Sequence, residues 1–278
     1  MTANPSDYEQ AGSTLAAIDR DLWLSSLFVP EGKRPHVQAL WTFAQEIARI
    51  PMIVSEPMLG EIRLQWWREV MEGERAGEAA QNPSAAALLS TIAQFSLPRA
   101  PFIALLEARK FDLYHDVMPT LNDLEGYCGE TASAVFRMAS MILSDGRDPG
   151  TADVSGHAGV AWGMTRILRD LPFHARRGQC FLPRDVLSRH GEGPENVSSG
   201  QATPGVRAAL AEIRQKAREH FALARAGAKQ LPQPVSAAYV PLAVVPLYLR
   251  TMERPGYEPF RHVIEPAQWR RQWAMWRW

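Results

Sequence analysis

The 278-residue chain is 46% apolar and 22% charged, the composition of a globular protein with length for one large core or two small ones. Its 30 basic and 30 acidic side chains cancel, which argues against a globally basic nucleic-acid binder or a polyanion-binding surface. The two cysteines, Cys128 and Cys180, are too few for a disulfide framework and lack metal-ligand spacing, so a reduced, cytoplasmic compartment is expected.

The basic residues are mostly arginine, with lysine only at Lys33, Lys110, Lys216 and Lys229. Together with the high alanine content this reads as GC-rich bacterial coding. No basic stretch leads into an apolar one at the N-terminus, and no apolar run reaches the ~18 residues of a membrane span.

In chain order, residues 1–11 are polar and expected to be disordered. Leu15, Ile18, Leu22, Leu24 and Leu27 recur at near-helical spacing and predict a helix over 12–28, broken by Pro30 and Gly32. Val37, Leu40, Trp41, Phe43, Ala44 and Ile47 give a second helix one wide apolar face over 35–50. A third, over 59–72, is apolar on more than one side and therefore expected to be buried. Helices follow over 84–95 and 100–117, and Thr120 or Asp123 offers a cap for one over 124–143. That helix is rich in small residues, among them Gly126, Gly129, Ala132 and Ser133, which let a neighbour or ligand approach the backbone. A loop at 144–150 leads into a helix over 151–170, and 184–204 reads as a surface loop. Helices over 205–229 and 234–252 precede an arginine- and tryptophan-rich tail, 253–278. With no strand alternation and no repeat, the chain is expected to be all-α, its apolar helices forming one domain, 12–252, around a shared centre.

The chemistry concentrates at 161–183. Asp170 stands at the end of an apolar helix among Arg166, Arg169, Arg176 and Arg177. Guanidinium groups around a mouth suit a diphosphate, which they bind bidentately; the alternative is a solvated, charged helix end. Pro172 predicts that the helix kinks or stops near Asp170, which weakens an Asp170/His174 metal pair despite the i, i+4 spacing. Asp112 and Asp116, also i, i+4, could share a helix face and hold Mg²⁺. No glycine-rich phosphate loop, nucleophile elbow or zinc pattern is present. In the tail, Trp269, Trp273 and Trp276 recur at i, i+4, i+7 beside Arg270, Arg271 and Arg277. That stripe suits a membrane interface; alternatively the rings fold onto the core or cover a dimer seam.

Four stretches resemble the squalene/phytoene synthase family: Asp21-Leu-Trp-Leu-Ser-Ser-Leu-Phe-Val-Pro30, Leu64-Gln-Trp-Trp-Arg68, Tyr127-Cys-Gly-Glu-Thr-Ala132, and Ile167-Leu-Arg-Asp170 with Ala175-Arg-Arg-Gly-Gln-Cys-Phe-Leu-Pro183. The resemblance implies an isoprenoid-synthase helical bundle around a central cavity. It also implies head-to-head joining of farnesyl or geranylgeranyl diphosphate, with two Asp-rich motifs holding Mg²⁺ and with Tyr127 and the arginines toward substrate. The physical demand is stabilisation of the departing diphosphate in a dry, apolar tunnel.

The chain departs from the family pattern at its acids. The first motif falls on Ala48, Arg49 and Met52, where an arginine is expected to repel Mg²⁺. In the second motif Asp170 remains, but its partner position is His174, and Arg166 and Gly163 precede it where amides are usual. Phe136 occupies the small-residue position expected at the tunnel floor. This is most similar to a divergent branch that includes the mitochondrial assembly factor for respiratory complex I. The expectation is a member without ordinary prenyl transfer, binding a prenyl or phosphate-bearing ligand, or a protein partner at the inner membrane. The alternative is an active Mg²⁺-dependent transferase with Asp112, Asp116 and Asp170 as rearranged ligands.

Overall fold

A computed structural model describes residues 3–278. Among them there is no strand. The chain begins with α1 (Pro5–Ile18), α2 (Arg20–Ser26), α3 (Arg34–Ile53) and α4 (Pro57–Glu72). It continues through α5 (Ala76–Gln81), α6 (Pro83–Gln94), α7 (Ala100–Ala108), a 3₁₀ turn (Arg109–Leu113), α8 (Leu121–Cys128) and α9 (Ala134–Leu143). The second half holds α10 (Ala152–Arg169), α11 (Leu171–Arg176), the short α12 (Arg184–Arg189) and α13 (Pro194–Ser198), and the long α14 (Pro204–Ala228). It ends with α15 (Gln233–Ser236), a 3₁₀ stretch (Ala237–Val244), α16 (Val245–Thr251) and α17 (Gln268–Trp276).

An all-helical chain with 21 prolines is possible because prolines sit where a helix has no N–H to lose. α1, α3, α4, α6, α7 and α14 each carry one in the first turn. Prolines elsewhere explain departures from regularity. The expected helix over 234–252 is interrupted by a 3₁₀ stretch, Ala237–Val244, inside which Pro241 removes an N–H, and Pro246 stands in the first turn of the α-helix that follows.

Several expectations are corrected. The stretch 1–11, expected to be disordered, is helical from Pro5, and the Asn4 N–H donates to the Asp7 carboxylate at 2.8 Å; residues 1 and 2 lie outside the described residues. The single helix expected over 12–28 is two. Asp19 is extended (φ −146°, ψ 93°), and its carboxylate accepts from the N–H groups of Asp21 and Leu22, both at 3.1 Å, which starts α2. The helix expected over 100–117 tightens to 3₁₀ after Ala108 and stops at Leu113, so Asp112 and Asp116 share no helix face. The presumed loop 184–204 contains α12 and α13.

α10 is the centre of the bundle. Ser155, Ala158, Gly159, Ala161, Met164, Thr165 and Leu168 are all buried on it, which leaves little of its surface free. It crosses the small-residue helix at contact distance, and that helix is interrupted by a π turn, Gly129–Ser133, between α8 and α9. A Cβ on Gly159 would lie 2.2 Å from the Ser133 backbone nitrogen, and one on Gly163 2.6 Å from the Cys128 sulfur. The two glycines therefore set how closely the helices pack, and the π turn widens the backbone beside the cavity that opens next to them.

Candidate functional site

The cavity lies between α3, the α8–α9 segment, α10 and the chain from Asp170 to Phe181, with a volume of about 120 Å³. Small-molecule pockets more often measure ~300–1,000 Å³. Its apolar end explains the difference. Phe136 stacks on Tyr239 (centroids 5.8 Å apart, planes 5° apart) and meets Trp162 edge-on at 6.4 Å. The bulky Phe136 ring thus closes the apolar end of the cavity.

The polar end is a set of closed arginine–acid pairs. Arg109 donates to Asp112 Oδ2 at 2.9 Å and to the Tyr127 hydroxyl at 2.8 Å, while that hydroxyl donates to Asp112 Oδ1 at 2.6 Å. Both carboxylate oxygens of Asp112 are therefore occupied. Arg166 donates to Asp19, and to Gln45 Oε1 at 2.9 Å. Arg169, which lines not this cavity but the neighbouring cleft with Asp19 and Asp21, grips Asp170 with two bonds, Nε–Oδ1 at 2.8 Å and Nη2–Oδ2 at 3.2 Å. Just outside, Arg271 donates to Asp21 Oδ1 at 2.9 Å, and Tyr248 donates to Asp21 Oδ2 at 2.5 Å.

The titration behaviour follows from these partners. Burial pushes the Asp170 carboxyl up, but Arg169 and Arg166 outweigh it and hold the group below its ordinary range. Burial drives the Tyr127 hydroxyl well above its ordinary value, against the pull of Arg109. His174 is lowered by burial, with Asp170 and Asp112 only partly opposing. Among the described residues its Nδ1 has no partner, as is also true of Arg109 Nε. Burial likewise pushes the Cys128 thiol up to about 12, which leaves it inert at neutral pH.

The expected site residues divide. Asp170, Asp112, Tyr127, Arg166 and His174 line one cavity. Pro172 sits in the first turn of α11 and restarts the helix, and the His174 N–H donates to the Asp170 carbonyl at 3.0 Å, so the two residues stay one turn apart despite the break. Asp116 is exposed in the connector after the 3₁₀ turn and does not join the cavity. Arg176 is exposed, and Arg177 turns away to donate to the Pro51 carbonyl. On the facing helix, Ala48 and Gln45 line the cavity, whereas Arg49 lines a separate outer groove with Ile50, Ile53 and Leu59. The expected repulsion of Mg²⁺ by Arg49 at this site is thereby corrected: the residue lines the neighbouring groove and not this cavity. Among the described residues, no three His, Cys, Asp or Glu side chains are grouped so as to hold a metal ion.

Sequence reasoning passed over Asp19, Gln45, Arg109, Tyr248 and the inward turn of Arg271. Asp19 carried a signal, an acid between two helical patterns, which is a capping position. The others carried none, because their partners lie far away in sequence.

The sequence profile of the squalene/phytoene synthase family matches residues 15–277. The chain is 26% identical over 247 residues to NADH dehydrogenase (ubiquinone) complex I, assembly factor 6, of Rattus norvegicus and of Homo sapiens, over 89% of this chain and 74% of each relative. It is 28% identical over 281 residues to 15-cis-phytoene synthase of Synechococcus elongatus, over 95% of this chain and 89% of that one. Among solved structures, the squalene synthase of Alicyclobacillus acidocaldarius superposes with a TM-score of 0.74 at 25% identity, covering 92% of this chain and 96% of that one. A dehydrosqualene synthase in complex with ligand superposes with a TM-score of 0.80 at 17% identity, covering 98% and 95%, a likeness of fold.

Proposed function

The chain belongs to the squalene/phytoene synthase family, and on that premise we propose that it has given up prenyl transfer and works as an assembly factor, a peripheral protein that engages a partner at a membrane surface. The observation that carries this reading is the state of the cavity's cations. Arg109 and Arg166, which line it, each already bind an acid of the chain, as does Arg169 beside it, so a diphosphate would have to displace Asp112, Asp19 or Asp170. Each of these pairs has to open before a diphosphate can take the acid's place, and the displaced carboxylate is then left without its cation. The donor set does not suit Mg²⁺ either. Asp112 and Asp170 are the acids that line the cavity, and both are held by arginine. The likeness to complex I assembly factor 6 gives complex I as the first partner to test.

The test is purified full-length protein with Mg²⁺ and farnesyl or geranylgeranyl diphosphate, scored for diphosphate release and hydrocarbon product. No turnover above the buffer control is expected, and Mg²⁺-dependent turnover overturns the proposal. In the source organism, deletion is expected to lower assembled complex I on native gels, with rescue by an Asp170→Asn variant.

One observation favours a second reading, an active transferase acting on these diphosphates: Asp112 and Asp170 do line one cavity. The same turnover assay decides for it. A third outcome, a thermal shift with prenyl diphosphate but no turnover, would identify the cavity as a binding site for a prenyl or phosphate-bearing ligand, with Arg166 and Tyr127 toward it.

A further inference from the structure

We propose that α17 docks the protein on an anionic lipid bilayer, its outward tryptophan stripe entering the interface while its opposite face stays fastened to the bundle. This rests on the peripheral reading above and adds the element, its orientation and the class of lipid.

At about 100° per residue, Trp269, Trp273 and Trp276 fall within roughly 60° of arc on α17. They are 63%, 55% and 69% exposed, the rings of Trp273 and Trp276 stacking at 5.3 Å. Among the described residues none of the three indole N–H groups has an acceptor in the protein. The opposite face is tied down. Arg271, 6% exposed, pairs with the buried Asp21, and the sulfur of Met275, 2% exposed, accepts from the Ser25 hydroxyl at 3.7 Å. The alternative that these rings fold onto the core is thus reversed: the arginine turns in and the tryptophans turn out. Because the helix is already fixed, docking needs little further ordering.

Charge selects the occupant. α17 carries two arginines, Arg270 and Arg271, with Arg277 as its C-cap, and no acid. Arg271 is neutralised inside, but Arg270 and Arg277 form no ion pair among the described residues and lie over the Trp269 and Trp273 rings at 5.2 and 6.0 Å. Arg225 of α14, also without an ion pair among them, lies 5.9 Å from the Trp278 ring and adds a cation at the same end of the helix. A second copy set against this patch by twofold symmetry would bring arginine to arginine, with no acid on α17 to answer. A surface of lipid phosphates meets those cations, and tryptophan is the side chain most at home between headgroup and acyl chain.

The experiment uses the full chain with phosphatidylcholine vesicles, with and without phosphatidylglycerol. Binding is expected only with the anionic lipid, weakening as salt rises. Bromine-labelled acyl chains should quench part of the wild-type tryptophan emission, a readout that needs no variant. Trp269→Ala, Trp273→Ala and Trp276→Ala together should lower affinity about tenfold or more with the urea midpoint unchanged. Replacing Arg270 and Arg277 by glutamine should lower it about fivefold for each arginine. Absence of binding to anionic vesicles, absence of quenching, or full binding by the triple variant overturns the proposal. So does a dimer in solution that the triple variant dissociates. Turnover of a prenyl diphosphate would overturn the assembly-factor reading while leaving the vesicle result standing.

Discussion

The cavity and the last helix are both built from arginines and large aromatic rings, yet they are opposites. At the cavity Arg109 and Arg166, with Arg169 beside it, all meet acids, and Phe136 and Trp162 fill the space between helices. On α17, Arg270 and Arg277 meet no acid among the described residues, and three tryptophans face outward. A polar group already satisfied within the protein has little left to offer a ligand, while an unpartnered one does. On the proposed reading, the groups free to meet another molecule are those on the surface of α17.

The largest test of this contrast strikes the link between the two regions, the buried Asp21–Arg271 pair. Asp21→Ala leaves Arg271 and the Tyr248 hydroxyl without their acceptor, and should cost about 3–5 kcal/mol in urea unfolding. Replacing both Asp21 and Arg271 by apolar residues of similar size should restore much of that loss. If Asp21→Ala is neutral, the helix is not fastened as described.

Phe136→Ala should cost about 3 kcal/mol and enlarge the cavity. An apolar probe or a prenyl alcohol should then raise the variant's melting temperature but not the wild type's. An equal response would mean that the ring does not close the cavity.

Asp170→Asn should cost about 1–2 kcal/mol at neutral pH, because it weakens the two-bond grip of Arg169 on a partly exposed carboxylate. The Asp170 pKa is depressed in the folded protein, so its contribution is present above the unfolded carboxylate value of about 3.9 and fades as pH falls through the lower folded value. The gap between variant and wild type should therefore close in acid.

The smallest effect concerns His174. Its folded pKa lies below the unfolded value of about 6.5, so the unfolded chain binds the extra proton and stability falls as pH drops below that value. His174→Gln should flatten this part of the stability–pH curve, measured by urea midpoints across the range. An unchanged slope would mean that His174 is not held neutral.

Much of the fold could be read along the chain. The apolar face of α3, from Val37 to Ile47, and the early stop before Pro172 follow from side-chain periodicity and proline chemistry. The start at Pro5 was missed because a proline and an acid at a helix N-terminus look polar, although they are what a helix start requires. That Ala48, Arg49 and Met52 are not acids was equally plain, but the side of α3 on which each lies was not. Arg49 was placed at the cavity on sequence grounds, and one helical step carries it to the outer groove.

The sequence alone determined the all-helical class, the apolar faces of helices such as α3 and which acids are present, because each depends on residues within a turn or two of one another. The pairing of charges was decided by tertiary structure. Arg166 lies 147 positions from Asp19, and Arg271 lies 250 from Asp21. Coulombic and hydrogen-bond energies depend on distance in space, and periodicity carries no record of such a meeting. The same pairing turned Arg271 inward, and a helix with one face fastened had to present its tryptophans on the other.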